Sequence, residues 1–332
     1  MRRPERRRSE GARQRANDAV TGGARRGPSG EGASETSIDG LLVVDKPAGW
    51  TSHDVVAKLR GACGQRRIGH AGTLDPDATG VLLVGLGRVT RLLRFLQETV
   101  KEYRGDVVFG IATDSLDASG AVTEDVAMPI TREQAVEAAA RFVGDIDQVP
   151  PMVSAVKVDG RRLHELARRG LEVEREPRRV HIELIDVEEL VPGDHPVVTI
   201  RVVCSSGTYI RTLADDLGRA LGGRAHLGSL RRLAVGAFTL ADAHPLDEIL
   251  TDTGAFVLSP ASAMRGLEGI EVDDADARAV GHGAVFTGDR TDLATDGPGP
   301  FAVLDHQGEL LAVYERAGGK LKPAVVVAPA AS

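Results

Sequence analysis

Between Gly40 and Phe238, apolar runs of strand length and helix-spaced segments follow one another without a regular strand–helix–strand alternation. A doubly wound parallel sheet needs that alternation, so the order points to an α+β domain with a mixed, mainly antiparallel sheet. Leu41-Leu42-Val43-Val44, ended by Asp45-Lys46-Pro47, predicts a buried strand. Thr51-Ser52 supplies an N-cap for a helix through Val55, Val56 and Leu59. The Gly-rich stretch from Gly61 to Gly80 predicts a loop, Val81–Val84 a second buried strand, and Val89–Leu96 has helical spacing. Further strands are expected over Tyr103–Ile111, Val180–Leu190, Val197–Cys204 and Leu227–Phe238. Thr131 and Gln134 make a capping box ahead of Ala135–Phe142. Gly160–Arg169 is expected as a short basic helix closed by Gly170, and Thr208–Leu221 as a helix ended by Gly222-Gly223.

At 332 residues the chain has room for two or three domains. Residues 1–37 carry Arg, Gly, Ser and Glu with almost no large apolar side chains, so they cannot offset the entropy of ordering and are expected to be a disordered Arg-rich tail. Residues 38–240 form the expected catalytic-size domain and 241–267 a linker. Residues 268–328, with short strands broken by Gly, Asp and Pro, form a small β-barrel-like domain. The net charge of -7 argues at first against a nucleic-acid partner, but charge is unevenly placed. Arg-dense stretches recur at Arg60–Arg67, Arg88–Arg94, Arg161–Arg179 and Arg211–Arg232, while the C-terminal segment is acidic. A basic face on the middle of the chain is therefore compatible with the total, although any one such run also fits a solvated helix face. The two cysteines, Cys63 and Cys204, lie far apart and form neither a zinc ribbon nor a disulfide framework, which fits the reducing cytoplasm. No apolar run approaches a membrane span.

Several chemistries are excluded by missing motifs. There is no Gly-x-Gly-x-x-Gly, no P-loop, and no HExxH or similar metal spacing among nine histidines. Ser205-Ser206-Gly207 lacks the preceding glycine of a nucleophile elbow.

The segment that carries chemistry runs Gly69-His70-Ala71-Gly72-Thr73-Leu74-Asp75-Pro76-Asp77-Ala78-Thr79-Gly80. Its glycines permit tight turns and close approach by a ligand. Pro76 fixes its own φ and pushes Asp75 toward an extended conformation. A carboxylate on such a loop between two strands is well placed for reaction. An Asx-turn, with Asp75 or Asp77 bonding nearby amides, fits the same composition, and composition does not choose between the two aspartates. Taken alone, His70 fits a solvent-exposed loop residue, Tyr103 a core aromatic on a strand, and Arg211 a surface helix arginine.

The ordered blocks of the chain resemble the bacterial tRNA pseudouridine synthase B family. They are Lys46-Pro47-x-Gly49, Gly69 to Gly80, Lys101-x-Tyr103-Arg104, Asp114–Gly120, and Gln148-x-Pro150-Pro151-Met152-x-Ser154-Ala155-x-Lys157. Cys204-Ser205-x-Gly207-Thr208-Tyr209-Ile210-Arg211-Thr212 and Ala225-His226-Leu227-x-x-Leu230-Arg231-Arg232-Leu233 complete the set. The resemblance implies a pseudouridine-synthase catalytic domain followed by a PUA-like RNA-binding domain, here unusually acidic. It implies isomerisation of the T-loop uridine, position 55 of tRNA, by a monomer needing no metal, organic cofactor or obligatory protein partner. Asp75 corresponds to the catalytic aspartate and Arg211 to the arginine paired with it; Tyr103 packs on the target base and is a candidate for handling the C5 proton. Tyr209 and Leu230 line the uridine pocket, His70 fills the space left by the flipped nucleotide, and Lys46, Pro47 and Lys157 are structural supports. Swinging a base out of its stack costs a few kcal/mol, and stacking on a side chain returns about 1–3 kcal/mol. A non-catalytic tRNA-binding or tRNA-folding module on the same scaffold is the alternative.

Overall fold

The computed structural model describes residues 37–152, 154, 173–287 and 297–327, with backbone alone at 157–158 and 161–162. Residues 1–36 of the expected Arg-rich tail lie outside the described residues; of the expected basic helix Gly160–Arg169 only Arg161–Arg162 is described, and it pairs as a strand with Lys157–Val158 in place of a helix.

In chain order, β1 (Gly40–Lys46) leads to α1 (Ser52–Cys63), β2 (Ile68–Ala71) and β3 (Thr79–Leu86). A 3-10 turn at Gly87–Arg91 and the short α2 (Leu93–Gln97) precede β4 (Lys101–Phe109). The small hairpin of β5 (Ile111–Thr113) and β6 (Val122–Asp125) follows, then α3 (Arg132–Ala140) and β7 (Gly144–Gln148). After a second hairpin, β8 (Lys157–Val158) with β9 (Arg161–Arg162), come β10 (Arg178–Val191), β11 (Val197–Cys204), α4 (Ile210–Ala220) and β12 (Ala225–Val235). The short β13 (Phe238–Thr239) and β14 (His244–Pro245) close this part.

These strands build one ten-stranded sheet in the order β14-β1-β3-β12-β4-β11-β10-β7, with β13 added to β12 and β2 to β3. Only β1/β14 and β3/β12 pair in parallel; the other pairs are antiparallel. The mixed sheet expected from the irregular element order is therefore what forms. The apolar runs at β1 and β3 are buried on both faces, which continuous rather than alternating hydrophobicity requires. Both expected caps form: Thr51 with Asp54 at α1 and Thr131 with Gln134 at α3 are capping boxes.

Two local expectations change. Part of the expected loop from Gly61 to Gly80 is β2, which pairs with β3 from Ile68↔Leu86 to Ala71↔Leu83. The helical spacing at Val89–Leu96 resolves into the 3-10 turn followed by α2, with Leu92 between them.

The C-terminal part forms a separate five-stranded sheet from β15 (Glu268–Glu271), β16 (Phe286–Thr287), β17 (Phe301–Leu304), β18 (Leu310–Ala317) and β19 (Lys320–Val326), in the order β15-β17-β18-β19-β16. Its Ala302, Leu310, Val313 and Val325 share a hydrophobic cluster with Leu41, Val43, Val81 and Leu83 of the large sheet and Phe95 of α2. Arg91 and Arg88 donate to the backbone carbonyls of Val326 and Val327 at 2.9 and 3.1 Å. No described helix is long and apolar enough to cross a membrane.

Candidate active site

The loop between β2 and β3 is held by groups that its own composition does not reveal. The hydroxyl of Ser52, at the start of α1, accepts from the Leu74 N–H at 2.9 Å and donates to the Leu74 carbonyl at 3.2 Å. The fully buried Lys46 ammonium donates to three carbonyls, those of Pro47, Trp50 and Pro76, at 2.8, 2.6 and 2.9 Å. The Gly49 N–H also donates to Pro76 O, and Ala78 N–H to Asp75 O. Asp75 thus stands between two clamped residues, Leu74 and Pro76. Burial lowers the Lys46 pKa to about 8.

Gly80 ends the loop with φ +99°, and a Cβ there would lie 2.2 Å from the Arg232 carbonyl oxygen. Only glycine lets β3 and β12 approach at Gly80↔Arg232, the pairing that brings β12 under the loop.

Asp75 faces Arg211 on the first turn of α4, with Arg211 Nε 3.1 Å from Oδ2 and Nη2 3.3 Å from Oδ1. The same guanidinium reaches the Asp117 carboxylate at 3.2 Å and the Ser115 carbonyl at 3.1 Å. Burial of the Asp75 carboxyl raises its pKa, against the opposing pull of Arg211. At Asp117, burial opposes ionisation, but hydrogen bonds from Ser119 and Ser115 and the charge of Arg211 hold the carboxyl below its ordinary value. The start of α4 is itself anchored: Gln148 accepts from the Tyr209 N–H at 2.9 Å and donates to the Tyr209 carbonyl at 3.3 Å.

A cavity of about 490 Å³ opens over this carboxylate, and Asp75, Tyr103, Tyr209, Arg211 and Leu230 all line it. Five residues from four separated blocks of sequence therefore converge on one space. Tyr103 is a buried strand aromatic of the core, 7% exposed, and also reaches the cavity wall. Arg211, which fits a surface helix arginine by spacing, is 4% exposed.

The remaining candidates stand apart from this cavity. His70 lies on β2 and packs edge-on against His53 at 5.1 Å between ring centroids. Burial lowers its pKa to about 4, helped by His53 and Arg232, so the ring is neutral at physiological pH. Lys46 and Pro47 line a different groove, with Trp50, Lys58 and Arg231. The Lys157 side chain lies outside the described residues. Ser52, Lys101, Asp117 and Arg232 contribute to the site without having been singled out by sequence. The last three fall inside the quoted sequence blocks, which is the only sequence signal that marks them. Among the described residues no cluster of three or more His, Cys, Asp or Glu side chains is placed to hold a metal ion.

Residues 60–210 match the TruB family pseudouridylate synthase N-terminal domain, and residues 211–256 match the tRNA pseudouridylate synthase B C-terminal domain. The chain belongs to the TruB family of pseudouridylate synthases. Among its TruB relatives, a protein named tRNA pseudouridine synthase B from Symbiobacterium thermophilum is 50% identical over 254 residues, covering 76% of this chain and 84% of that one. Another of that name, from Thermobifida fusca, is 43% identical over 296 residues, covering 87% and 99%. Among solved structures, a Cbf5-Nop10-Gar1 complex contains a chain that superposes with a TM-score of 0.66 at 25% identity, covering 87% of this chain and 85% of that one. An H/ACA RNP bound to a substrate RNA containing 2'-deoxyuridine gives 0.67 at 24%, with the same coverage, and shows the shared TruB-type fold alone. The match to the first domain model spans Asp75, Tyr103 and Tyr209, and the second begins at Arg211.

Proposed function

We propose that this TruB-family chain isomerises the T-loop uridine of tRNA, position 55, to pseudouridine, with Asp75 as the reactive carboxylate. The observation that carries the reading is the Asp75–Arg211 pair at 3.1 Å on the wall of a cavity that Tyr103, Tyr209 and Leu230 also line. Isomerisation breaks N1–C1′, turns the uracil over within the cavity, joins C5 to C1′ and releases the C5 proton. A fixed carboxylate serves either as nucleophile at C1′ or as the group that assists departure of the uracil in a glycal route. Arg211 keeps that carboxylate ionised and aimed. Tyr103 packs on the base, and its hydroxyl is the candidate for handling the C5 proton; Tyr209 and Leu230 complete the pocket. His70, held neutral by burial, suits stacking into the gap the extruded nucleotide leaves better than contact with a phosphate. Lys46 and Pro47 support the loop through the carbonyl clamp.

In this reading the protein works on tRNA as a cytoplasmic monomer, without a metal, an organic cofactor or an obligatory protein partner. Residues 268–328 act as a PUA-like accessory module joined to the catalytic domain, 38–240, through the linker 241–267. A purely tRNA-binding role is disfavoured by the Asp75–Arg211 pair, which serves no evident packing purpose at a cavity wall.

The test is pseudouridine formation in an unmodified tRNA transcript by the purified chain. The wild type is expected to turn over and Asp75→Asn to be inactive while binding tRNA as before. Turnover that survives in Asp75→Asn moves the reactive role elsewhere, Asp77 being next in the loop.

A further inference from the structure

Four cations line the cavity over Asp75: Arg94, Lys101, Arg211 and Arg232. Three of them are buried and engaged within the protein. Arg211 holds Asp75 and Asp117, the Lys101 ammonium donates to the Gln97 and Thr99 carbonyls at 2.8 Å each, and Arg232 donates to the Val81 and Gly72 carbonyls at 2.7 and 3.1 Å. Arg94, in the short helix α2, differs from them: its side chain keeps 51% of its exposure. Among the described residues it is therefore the one cation of the cavity wall that faces solvent. Its guanidinium stands 4.5 Å from the centre of the buried Phe95 ring, which props the head at one place on the rim. Its carboxylate partner comes from the acidic C-terminal segment. Arg94 Nη2 is 3.1 Å from Glu315 Oε1 on β18, and that carboxylate is itself half exposed. The neighbouring strand β19 is fastened close by, where Arg91 and Arg88 donate to the Val326 and Val327 carbonyls. Glu98, one helical turn beyond Arg94, also lines the cavity, but among the described residues Glu315 is the carboxylate within ion-pair distance.

An exposed ion pair of this kind contributes little to stability, because both groups are solvated and side-chain entropy opposes the pairing. A nucleotide drawn into a cavity of about 490 Å³ places its base and ribose inside, and the phosphates on either side of it stay at the mouth, where Arg94 stands. A phosphate accepts from a guanidinium in the same forked geometry as a carboxylate does. Exchanging Glu315 for a phosphate therefore breaks only a weak pair, and it gains a contact that releases counterions from the RNA. The displaced Glu315 is not left alone, because Lys322 lies opposite it across β18 and β19. We propose that Arg94 is a phosphate-binding residue at the cavity mouth, serving the RNA backbone beside the extruded nucleotide, and that Glu315 occupies it until RNA displaces the carboxylate. The acidic C-terminal module then sets RNA affinity through one competing charge.

The inference rests on the cavity receiving a nucleotide of RNA, as proposed above, and the experiment separates the two. The dissociation constant for a tRNA transcript is measured against salt for the wild type, Glu315→Gln, Arg94→Gln and the double variant, and pseudouridine formation is followed in the same preparations. Glu315→Gln is expected to bind tRNA about 2- to 5-fold more tightly, the gain when an exposed pair no longer has to be broken. Arg94→Gln is expected to bind more weakly and to lower the slope of log Kd against log salt by about 1, the share of one phosphate contact. In the Arg94→Gln background, Glu315→Gln is expected to change nothing, because both substitutions act on one site. Tightening by Glu315→Gln of the same size in both backgrounds would show a general repulsion of RNA and overturn the inference. So would a Glu315→Gln variant that binds like the wild type, or an Arg94→Gln variant that keeps the wild-type salt slope. A wild type that binds tRNA without forming pseudouridine defeats the proposed reaction, while these affinities still decide the role of Arg94. A wild type that does not bind tRNA defeats both.

Discussion

Arg211→Met removes the cation that Asp75 and Asp117 share while keeping most of the side-chain length. At 3.1 Å, with an effective dielectric constant of about 20, Coulomb's law gives about 5 kcal/mol for the Asp75–Arg211 attraction. Asp75 keeps 43% side-chain exposure, so solvent screening reduces this to about 1.5–3 kcal/mol. Burial already pushes the Asp75 carboxyl upward, and Asp117 pushes the same way by repulsion. Loss of Arg211 leaves these influences, and the repulsion of Asp77, opposed only by the smaller pull of Lys46. The reactive form is the carboxylate, so activity is lost as pH falls through the folded-state pKa of Asp75. In the variant that acid limb is expected at higher pH than in the wild type, with part of the rate returning as pH is raised. Single-turnover release of tritium from C5-labelled uridine in tRNA, followed from about pH 4.5 to 9, reads the limb directly. An acid limb at the wild-type position, with weakened tRNA binding instead, would make Arg211 a phosphate clamp and overturn the electrostatic account.

Two other outcomes follow from the clamp around the loop. Ser52→Ala strips both hydrogen bonds from Leu74 in a fully buried setting. Each orphaned group costs about 1–3 kcal/mol, so urea unfolding should show a loss of about 2–4 kcal/mol, and a loss under 0.5 kcal/mol would show that water replaces the hydroxyl. For Lys46 the folded-state pKa is lowered, from 10.5 to about 8. Between those values the unfolded chain binds more protons, so this group's contribution to stability rises with pH and is lost as pH falls toward 8. Melting curves from pH 8 to 10 should therefore be flatter for Lys46→Met than for the wild type, and equal slopes would contradict the burial of that ammonium.

Local rules read the scaffold well where local chemistry decides it. The caps at Thr51 and Thr131 and the unbroken apolar runs of β1 and β3 are properties of adjacent residues, and the structure follows them. β2 was hidden because Ile68–Ala71 is four residues long and contains Gly69 and His70; it is a strand only because β3 offers it a free edge. The loop of Asp75 was visible for its glycines and Pro76, yet nothing adjacent to it announces Ser52 or Lys46, which hold it from 22 and 30 residues away.

The arginines show most clearly where sequence reasoning stops. Arg-dense stretches suggest a solvated basic face, and Arg94 and Arg179 do sit exposed beside acidic partners. Arg211 and Arg232 come from the same kind of stretch and are buried. What separates them is not residue type but what lies opposite. Arg211 meets two carboxylates contributed by the loop of Asp75 and the turn at Asp117, and Arg232 meets the Gly72 and Val81 carbonyls on either side of that loop. Those partners exist only once β12 has paired with both β3 and β4, a register made possible by a bare glycine at position 80. The family blocks marked these residues because they recur together, while the physical reason, two buried cations each organising one side of the cavity, belongs to the tertiary register. It follows that a substitution at Gly80 acts on the site through the backbone of Arg232, whose side chain holds the Gly72 and Val81 carbonyls, as well as through the loop it terminates.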